Sequence, residues 1–402
     1  MISVLFAMRK FIKSLFRAKR SNESTIRYGM WLMHLWMGLL CSLIVFLTSL
    51  SGAVYAFKTQ VIELSNYEKV FIYPETDPIS LGQLQAQLSK QNKKLLSVHI
   101  PESRSRSWQI GYENTQGQVQ SVHFNPYLKE ELGGSEVSLN RFFEVVLDFH
   151  RTLLLGELGK QVIGVGVLLF LLLMVSGIVL WVPKKLKYLK QGFVVKWDAK
   201  FARLNYDLHK VVGFYSMLLL FFISVTGLYV TYPWVKNTLI VSLGGTPLSQ
   251  IAETGSNDGF EALMEDMLAR QKELSGPEVT APISLDSLMQ KTHQMFTSPG
   301  DLTLTLPTAE DPRYNITKLE RSIYLGALLP STLSFDANGE LKSSQRFTEL
   351  PLDRQFTALV KPLHTGEILG LPSIILYFIA SLCGCLLPVT GFLIWYRRFV
   401  KS

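Results

Sequence analysis

Four of the seven histidines recur at matched spacings, and neutral imidazole is a side chain well suited to holding a metal ion or a haem iron. His34-Leu-Trp-Met-Gly38 aligns with His209-Lys-Val-Val-Gly213, and each histidine is followed 18 residues later by the glycine of Ser51-Gly52 or Thr226-Gly227. His150 and His364 lead in the same way to Ser176-Gly177 and Thr390-Gly391, both 27 residues away at the glycine, with Trp181 and Trp395 four residues further on. Two spacings each kept twice point to a tandem duplication. Gly38 and Gly213 lie one turn after the first histidine of each copy, on the same helix face, where a missing side chain leaves room for a flat macrocycle. The competing explanation is that the glycines only let helices approach and the histidines hydrogen-bond across a bundle.

The elements that must position these histidines are four apolar blocks, Trp31 to Phe57, Val162 to Val182, Val211 to Tyr232 and Leu371 to Tyr396. Each is long enough to cross the roughly 30 Å hydrocarbon core as a helix. Basic residues set the orientation, because Lys and Arg in short loops stay cytoplasmic. Arg9, Lys10, Lys13, Arg17, Lys19, Arg20 and Arg27 precede the first block, and a lysine-rich stretch from Lys184 to Arg203 joins the second and third. Arg397, Arg398 and Lys401 follow the fourth. Both termini are therefore expected in the cytoplasm, and the net charge of +8 reflects topology rather than a nucleic-acid surface. A cleavable signal is disfavoured: Val54 and Ala56 satisfy a small-residue rule, but the basic region runs to Tyr28 and the apolar stretch is too long. Cys41, Cys383 and Cys385 all fall in apolar blocks, so no disulfide framework is expected, and C-x-x-C-H is absent.

This topology sorts the histidines. His34 and His209 enter the membrane from the cytoplasmic side, whereas His150 and His364 precede the returning helices on the outer side. One four-ligand site is excluded, and two two-ligand sites follow, one near each face. Two imidazoles on one haem iron make a six-coordinate centre suited to electron transfer rather than oxygen binding. A straight helix from His150 to Trp181 would be roughly 46 Å long, so the chain must bend. Gly156 and Gly159, and then Gly366, Gly370 and Pro372, are the residues that permit it. Phe142, Phe143, Val146 and Phe149 mark an interfacial helix before His150.

The segments 58–149 and 233–363 each resemble a small α+β module. Ser80 caps a helix carrying Leu81, Leu84 and Leu88 ahead of strands at Leu95 to Ile100, Ser107 to Tyr112 and Gln118 to Phe124. Ser284 precedes Leu285, Leu288 and Met289, ahead of strands at Leu302 to Leu306, Asn315 to Leu319 and Thr332 to Phe335, with Asp336-Ala-Asn-Gly339 as a turn. Ser249 to Gly276 is a polar insertion with one short helix at Phe260 to Leu274. Arg151, Lys210 and Arg27 are candidates for meeting haem propionates or for ordinary snorkelling. Glu157 and Glu367 are weaker candidates for supporting contacts, and His99, His123 and His293 lack metal-ligand spacing.

The repeated histidine to Ser/Thr-Gly helices resemble the PepSY-associated transmembrane family of bacterial iron-regulated inner-membrane proteins. So do the strands Val98-His-Ile-Pro101, Trp108-Gln-Ile-Gly111 and Val122-His-Phe-Asn-Pro126. The resemblance covers essentially the whole chain. It implies an α-helical membrane protein of four transmembrane helices with two α+β PepSY-like periplasmic domains. The expected boundaries are a cytoplasmic segment 1–29, helix 30–57, periplasmic domain 58–149, and an outer histidine segment and helix 150–182. A cytoplasmic loop 183–208, helix 209–232, periplasmic domain 233–363, histidine segment and helix 364–396, and tail 397–402 complete the chain. It further implies two non-covalent b-type haems with His34, His209, His150 and His364 as axial ligands, serving a ferric-siderophore reductase. The partners implied are a periplasmic ferric siderophore or other ferric chelate and a cytoplasmic or quinol electron donor. Some relatives carry an appended flavin-binding domain; none is expected here, which leaves the donor open. The rival functions are a non-redox sensor in which the histidines only pack, and a metal or siderophore transporter.

Overall fold

The computed structural model describes residues 19–401 except 22, 135–136, 247–282, 310 and 323–325. Four of its helices are long and apolar enough to cross a membrane. The first is α1 (Thr25–Ala56), started by Ser24, whose hydroxyl accepts the Arg27 amide. It runs almost directly into α2 (Lys58–Ser65) and the single turn α3 (Tyr67–Val70). After α4 (Leu81–Lys90) come β1 (Lys94–Ile100), β2 (Trp108–Glu113), β3 (Val119–Asn125) and β4 (Glu130–Gly133). The helix α5 (Val137–Thr152) then brings His150 to the second long helix, α6 (Gly156–Trp181).

The same order follows a second time. The third long helix, α7 (Phe201–Thr231), leads to α8 (Pro233–Ser242), α9 (Leu285–Met295) and the strands β5 (Gly300–Thr305), β6 (Tyr314–Arg321), β7 (Leu328–Phe335) and β8 (Leu341–Gln345). Last are α10 (Leu352–Thr365), which carries His364, and α11 (Leu371–Lys401). The helix expected at Phe260 to Leu274 and the basic residues Arg9 to Arg17 lie outside the described residues.

The two segments that lie between paired long helices do not fold as separate modules. Their strands form one antiparallel sheet in the order β4-β3-β2-β1-β5-β6-β7-β8, joined where β1 pairs with β5 and Val98 lies opposite Leu304. Each four-stranded half would otherwise expose an unpaired edge at its first strand, and pairing the two edges removes both. One core results. Leu84, Leu88, Val98 and Ile110 from one half and Leu288, Leu304, Ile316 and Leu333 from the other are essentially inaccessible to water. The two covering helices also meet: the Asp286 carboxylate accepts from the Ser80 hydroxyl (2.9 Å) and the Gly82 amide (3.0 Å), placing a negative charge at the N-termini of both α4 and α9.

In the membrane part each long helix packs on two others, so the ring order is α1-α6-α7-α11 and α1 faces α7 across the diagonal. Close approach rests on small residues. A Cβ at Gly166 would come 2.7 Å from Ile44, and one at Gly384 would come 2.6 Å from the Ser49 hydroxyl. The return from α5 into α6 is sharper than glycine alone explains. Leu153, Leu154 and Gly156 all have left-handed φ (51°, 59° and 57°). Gly159 lets α6 start against the end of α5, because a Cβ there would lie 1.6 Å from the Thr152 carbonyl. In the second half Gly366 and Gly370 take φ of 81° and 70° and make the corresponding bend before α11.

Candidate functional site

The four repeated histidines form two pairs. His34 on α1 lies across from His209 on α7 with ring centres 6.2 Å apart and planes at 87°. His150 on α5 lies across from His364 on α10, also at 6.2 Å, with planes at 58°. Each pair takes one member from each half of the chain, and the pairs occupy opposite ends of the bundle. The separation is too long for a hydrogen bond between rings. An ion held by two opposed imidazole nitrogens at about 2 Å each, with roughly 1 Å from nitrogen to ring centre, sets the centres about 6 Å apart.

Every ring is fixed by the same device. His34 Nδ1 is 2.9 Å from the Ser176 hydroxyl, and His209 Nδ1 is 2.9 Å from that of Thr390. His150 Nδ1 is 3.1 Å from the Ser51 hydroxyl, and His364 Nδ1 is 3.1 Å from that of Thr226. The four hydroxyls already donate to carbonyls in the preceding turn of their own helices, so each oxygen accepts and Nδ1 carries the proton. Carbonyls, which can only accept, reinforce this: Thr48 O lies 3.0 Å from His150 Nδ1 and Ile223 O lies 3.0 Å from His364 Nδ1. The tautomer is thereby set, and Nε2 keeps its lone pair for a metal.

The glycine after each hydroxyl residue provides the floor. A Cβ at Gly52 would sit 3.2 Å from His150 Cε1, at Gly177 3.4 Å from His34, at Gly227 3.0 Å from His364 and at Gly391 3.2 Å from His209. The Ser/Thr-Gly dipeptides, visible in the sequence only as landmarks of the repeat, are thus seats for imidazole rings. Their signal was the constant spacing to a histidine on another helix. By contrast, a Cβ at Gly38 or Gly213 would make only ordinary contact, 3.8 Å from Leu173 and 3.4 Å from Leu387.

Among the described residues no three of His, Cys, Asp or Glu converge. A zinc-type centre takes three or four protein ligands, so these pairs fit a group that brings its other ligands with it. A haem is such a group, and it would need from the chain only two histidines at each end, His34 with His209 and His150 with His364. On ligand number, ring separation and tautomer the residues fit a bis-imidazole haem at each end.

The remaining candidates make the following contacts. The Arg27 guanidinium donates to the carbonyls of Val179, Leu180 and Val182, capping the end of α6. Lys210 Nζ stands 5.8 Å from the centre of the Trp181 ring. Arg151 is exposed beside His150. Glu157 binds Lys160 and Gln161, and Glu367 accepts from the Thr365 hydroxyl. His99 meets Thr303 across the β1–β5 junction, and His123 meets Ser107; burial holds both below the ordinary histidine range. His293 lies in the last turn of α9.

A family model described as the PepSY-associated TM region matches residues 31–398, nearly the whole chain. The chain belongs to the PepSY-associated transmembrane family. No curated protein matches it closely enough to be called a relative. The family match covers both histidine pairs, all four Ser/Thr-Gly seats and the entire sheet.

Proposed function

We propose that this member of the PepSY-associated transmembrane family is a di-haem electron conduit that reduces a ferric chelate, most simply a ferric siderophore, and so releases ferrous iron. The observation that carries this is the pair of opposed imidazole couples, each with Nδ1 tied to a hydroxyl and the rings spaced for one ion between them. Bis-imidazole haem supplies one-electron transfer at an iron with no open position for oxygen. The excess of lysine and arginine on the side away from the sheet supports a cytoplasmic location for that side, and with it a periplasmic sheet on a bacterial inner membrane. The matched contacts of the two halves support an origin by tandem duplication, about an axis along the membrane normal.

His34 and His209 then hold the inner group, and His150 and His364 the outer one. On both α1 and α7 the seat of the outer histidine follows the inner histidine by 17 residues, Ser51 after His34 and Thr226 after His209, or roughly 26 Å along the axis. The electron donor is a cytoplasmic reductant or a membrane quinol, and the acceptor a ferric chelate at the sheet side. Ferrous iron leaves because the softer, less charged ion is held less tightly by hard oxygen ligands.

Two measurements address this reading. Protein reduced with dithionite and freed of excess reductant should be reoxidised by a ferric tris-hydroxamate, with one ferrous ion trapped by a colorimetric chelator per electron lost. Protein that stays reduced in excess chelate would refute the acceptor assignment. Removing a seat should weaken one site while its ligands remain: Ser51→Ala combined with Thr226→Val is expected to lower outer haem affinity about 10–100-fold. Transfer of haem to an apo-acceptor protein follows this directly, and unchanged transfer kinetics would show that the hydroxyls do not support the ligands.

A further inference from the structure

Between α6 and α7, residues 184–200 carry six lysines and a single acid, Asp198. The segment is not loose. Phe193 packs edge-on against both Trp181 and Phe214, with ring centres 4.9 and 5.1 Å away, and the Trp181 indole donates to the Gly192 carbonyl (3.2 Å). A Cβ at Gly192 would lie 2.9 Å from Trp181, so the backbone sits directly on the indole. Residues Leu186–Gly192 form a 3-10 helix held in this position.

Pinned at Phe193, the segment nevertheless presents large apolar side chains outward. Leu186 and Trp197 are each 73% exposed, and Tyr188 is 44% exposed with the Lys187 ammonium over its ring. Lysines and apolar residues alternate within a few positions of one another, with Lys185 and Lys187 beside Leu186 and Lys196 beside Trp197. Both ends of the segment continue into membrane-crossing helices. It is therefore confined to the level where those helices leave the bilayer. A surface combining ammonium groups with exposed indole, phenol and leucine matches one occupant at that level: anionic lipid, with phosphates on the lysines and rings at the headgroup boundary.

We infer that residues 184–200 form a binding surface for anionic phospholipid on the loop side of the membrane. Seated there, lipid holds the Phe193 wedge against Trp181, four residues beyond the Gly177 seat of His34, and so braces the end of the bundle that carries the His34–His209 pair. The assignment does not depend on what that pair binds.

The full chain in nanodiscs made with brominated-acyl phosphatidylglycerol, or with the matching phosphatidylcholine, tests it. The Trp197 contribution is isolated by subtracting the emission of Trp197→Phe. It should be blue-shifted and quenched at least two-fold in the anionic discs, and less in the zwitterionic ones. On the same chain purified in detergent, combining Lys185→Gln, Lys187→Gln, Lys190→Gln and Lys196→Gln should reduce co-purifying phosphatidylglycerol by at least half. Trp197 emission typical of water and unquenched in both discs would overturn the proposal. So would equal quenching in the two discs, or undiminished lipid in the lysine variant; a surface kept free for a soluble donor protein gives the first of these results.

Discussion

Changing His34 or His209 to alanine is expected to leave one haem per chain in place of two, and changing His150 or His364 to remove the other one. The expectation follows from the pairing: each couple draws one ring from each half, and the couples stand at opposite ends of the bundle. A haem held through two histidines would lose half of its attachment to the protein with either one. The distant couple keeps its own seats, Ser176 and Thr390 for the inner rings and Ser51 and Thr226 for the outer. Haem per chain, measured as the pyridine adduct, should fall by about half in all four variants. Redox titration should then show one transition, the same in His34→Ala as in His209→Ala and different from that of the outer variants. Loss of both haems from every single substitution would contradict independent sites.

The second large effect comes from a residue that binds nothing. Gly227→Leu is expected to abolish the outer haem while His150 and His364 are still present. A Cβ at this position would already lie 3.0 Å from His364 Cε1 and 3.6 Å from its Nδ1, and the rest of a leucine side chain would occupy the place of the ring. The ring is not free to swing aside, because its Nδ1 is held 3.1 Å from the hydroxyl of the fully buried Thr226 and 3.0 Å from the Ile223 carbonyl. Gly177→Leu should remove the inner haem by the same logic through His34. Gly29→Leu is the control, since nothing lies within 4 Å of a Cβ there. Full haem content in Gly227→Leu, with the control behaving normally, would show that the glycine seat is incidental.

Much of the fold was legible because membrane helices and buried strands leave strong local patterns. Each of the four apolar blocks falls on one of the four long helices, although α6 and α7 begin earlier, at Gly156 and Phe201, and the strands around Val98, Ile110, Phe124, Leu304, Ile316 and Leu333 fall where the sequence pattern placed them. The polar strands β4 and β8 escaped because, at the sheet edges, they bury almost nothing and carry no alternation. The joining of the two halves through β1 and β5 was not legible either. Antiparallel pairing of two edges is decided by backbone groups, which every residue except proline has, and no side chain announces it. At the site, spacing identified the four histidines. It could not show that Ser51, Ser176, Thr226 and Thr390 orient the rings, because those contacts join residues 99 to 181 positions apart in the chain. The bend after His150 was foreseen at Gly156 and Gly159. The left-handed Leu153 and Leu154 were not, since nothing in a leucine marks it for positive φ.

If the paired imidazoles hold two haems, the purified chain, expressed with adequate haem supply, will show a low-spin six-coordinate visible spectrum whose bands sharpen on adding dithionite, with two haems per polypeptide by pyridine adduct. A colourless protein, or one whose reduced form binds carbon monoxide at once and so has an open iron position, would contradict the haem assignment.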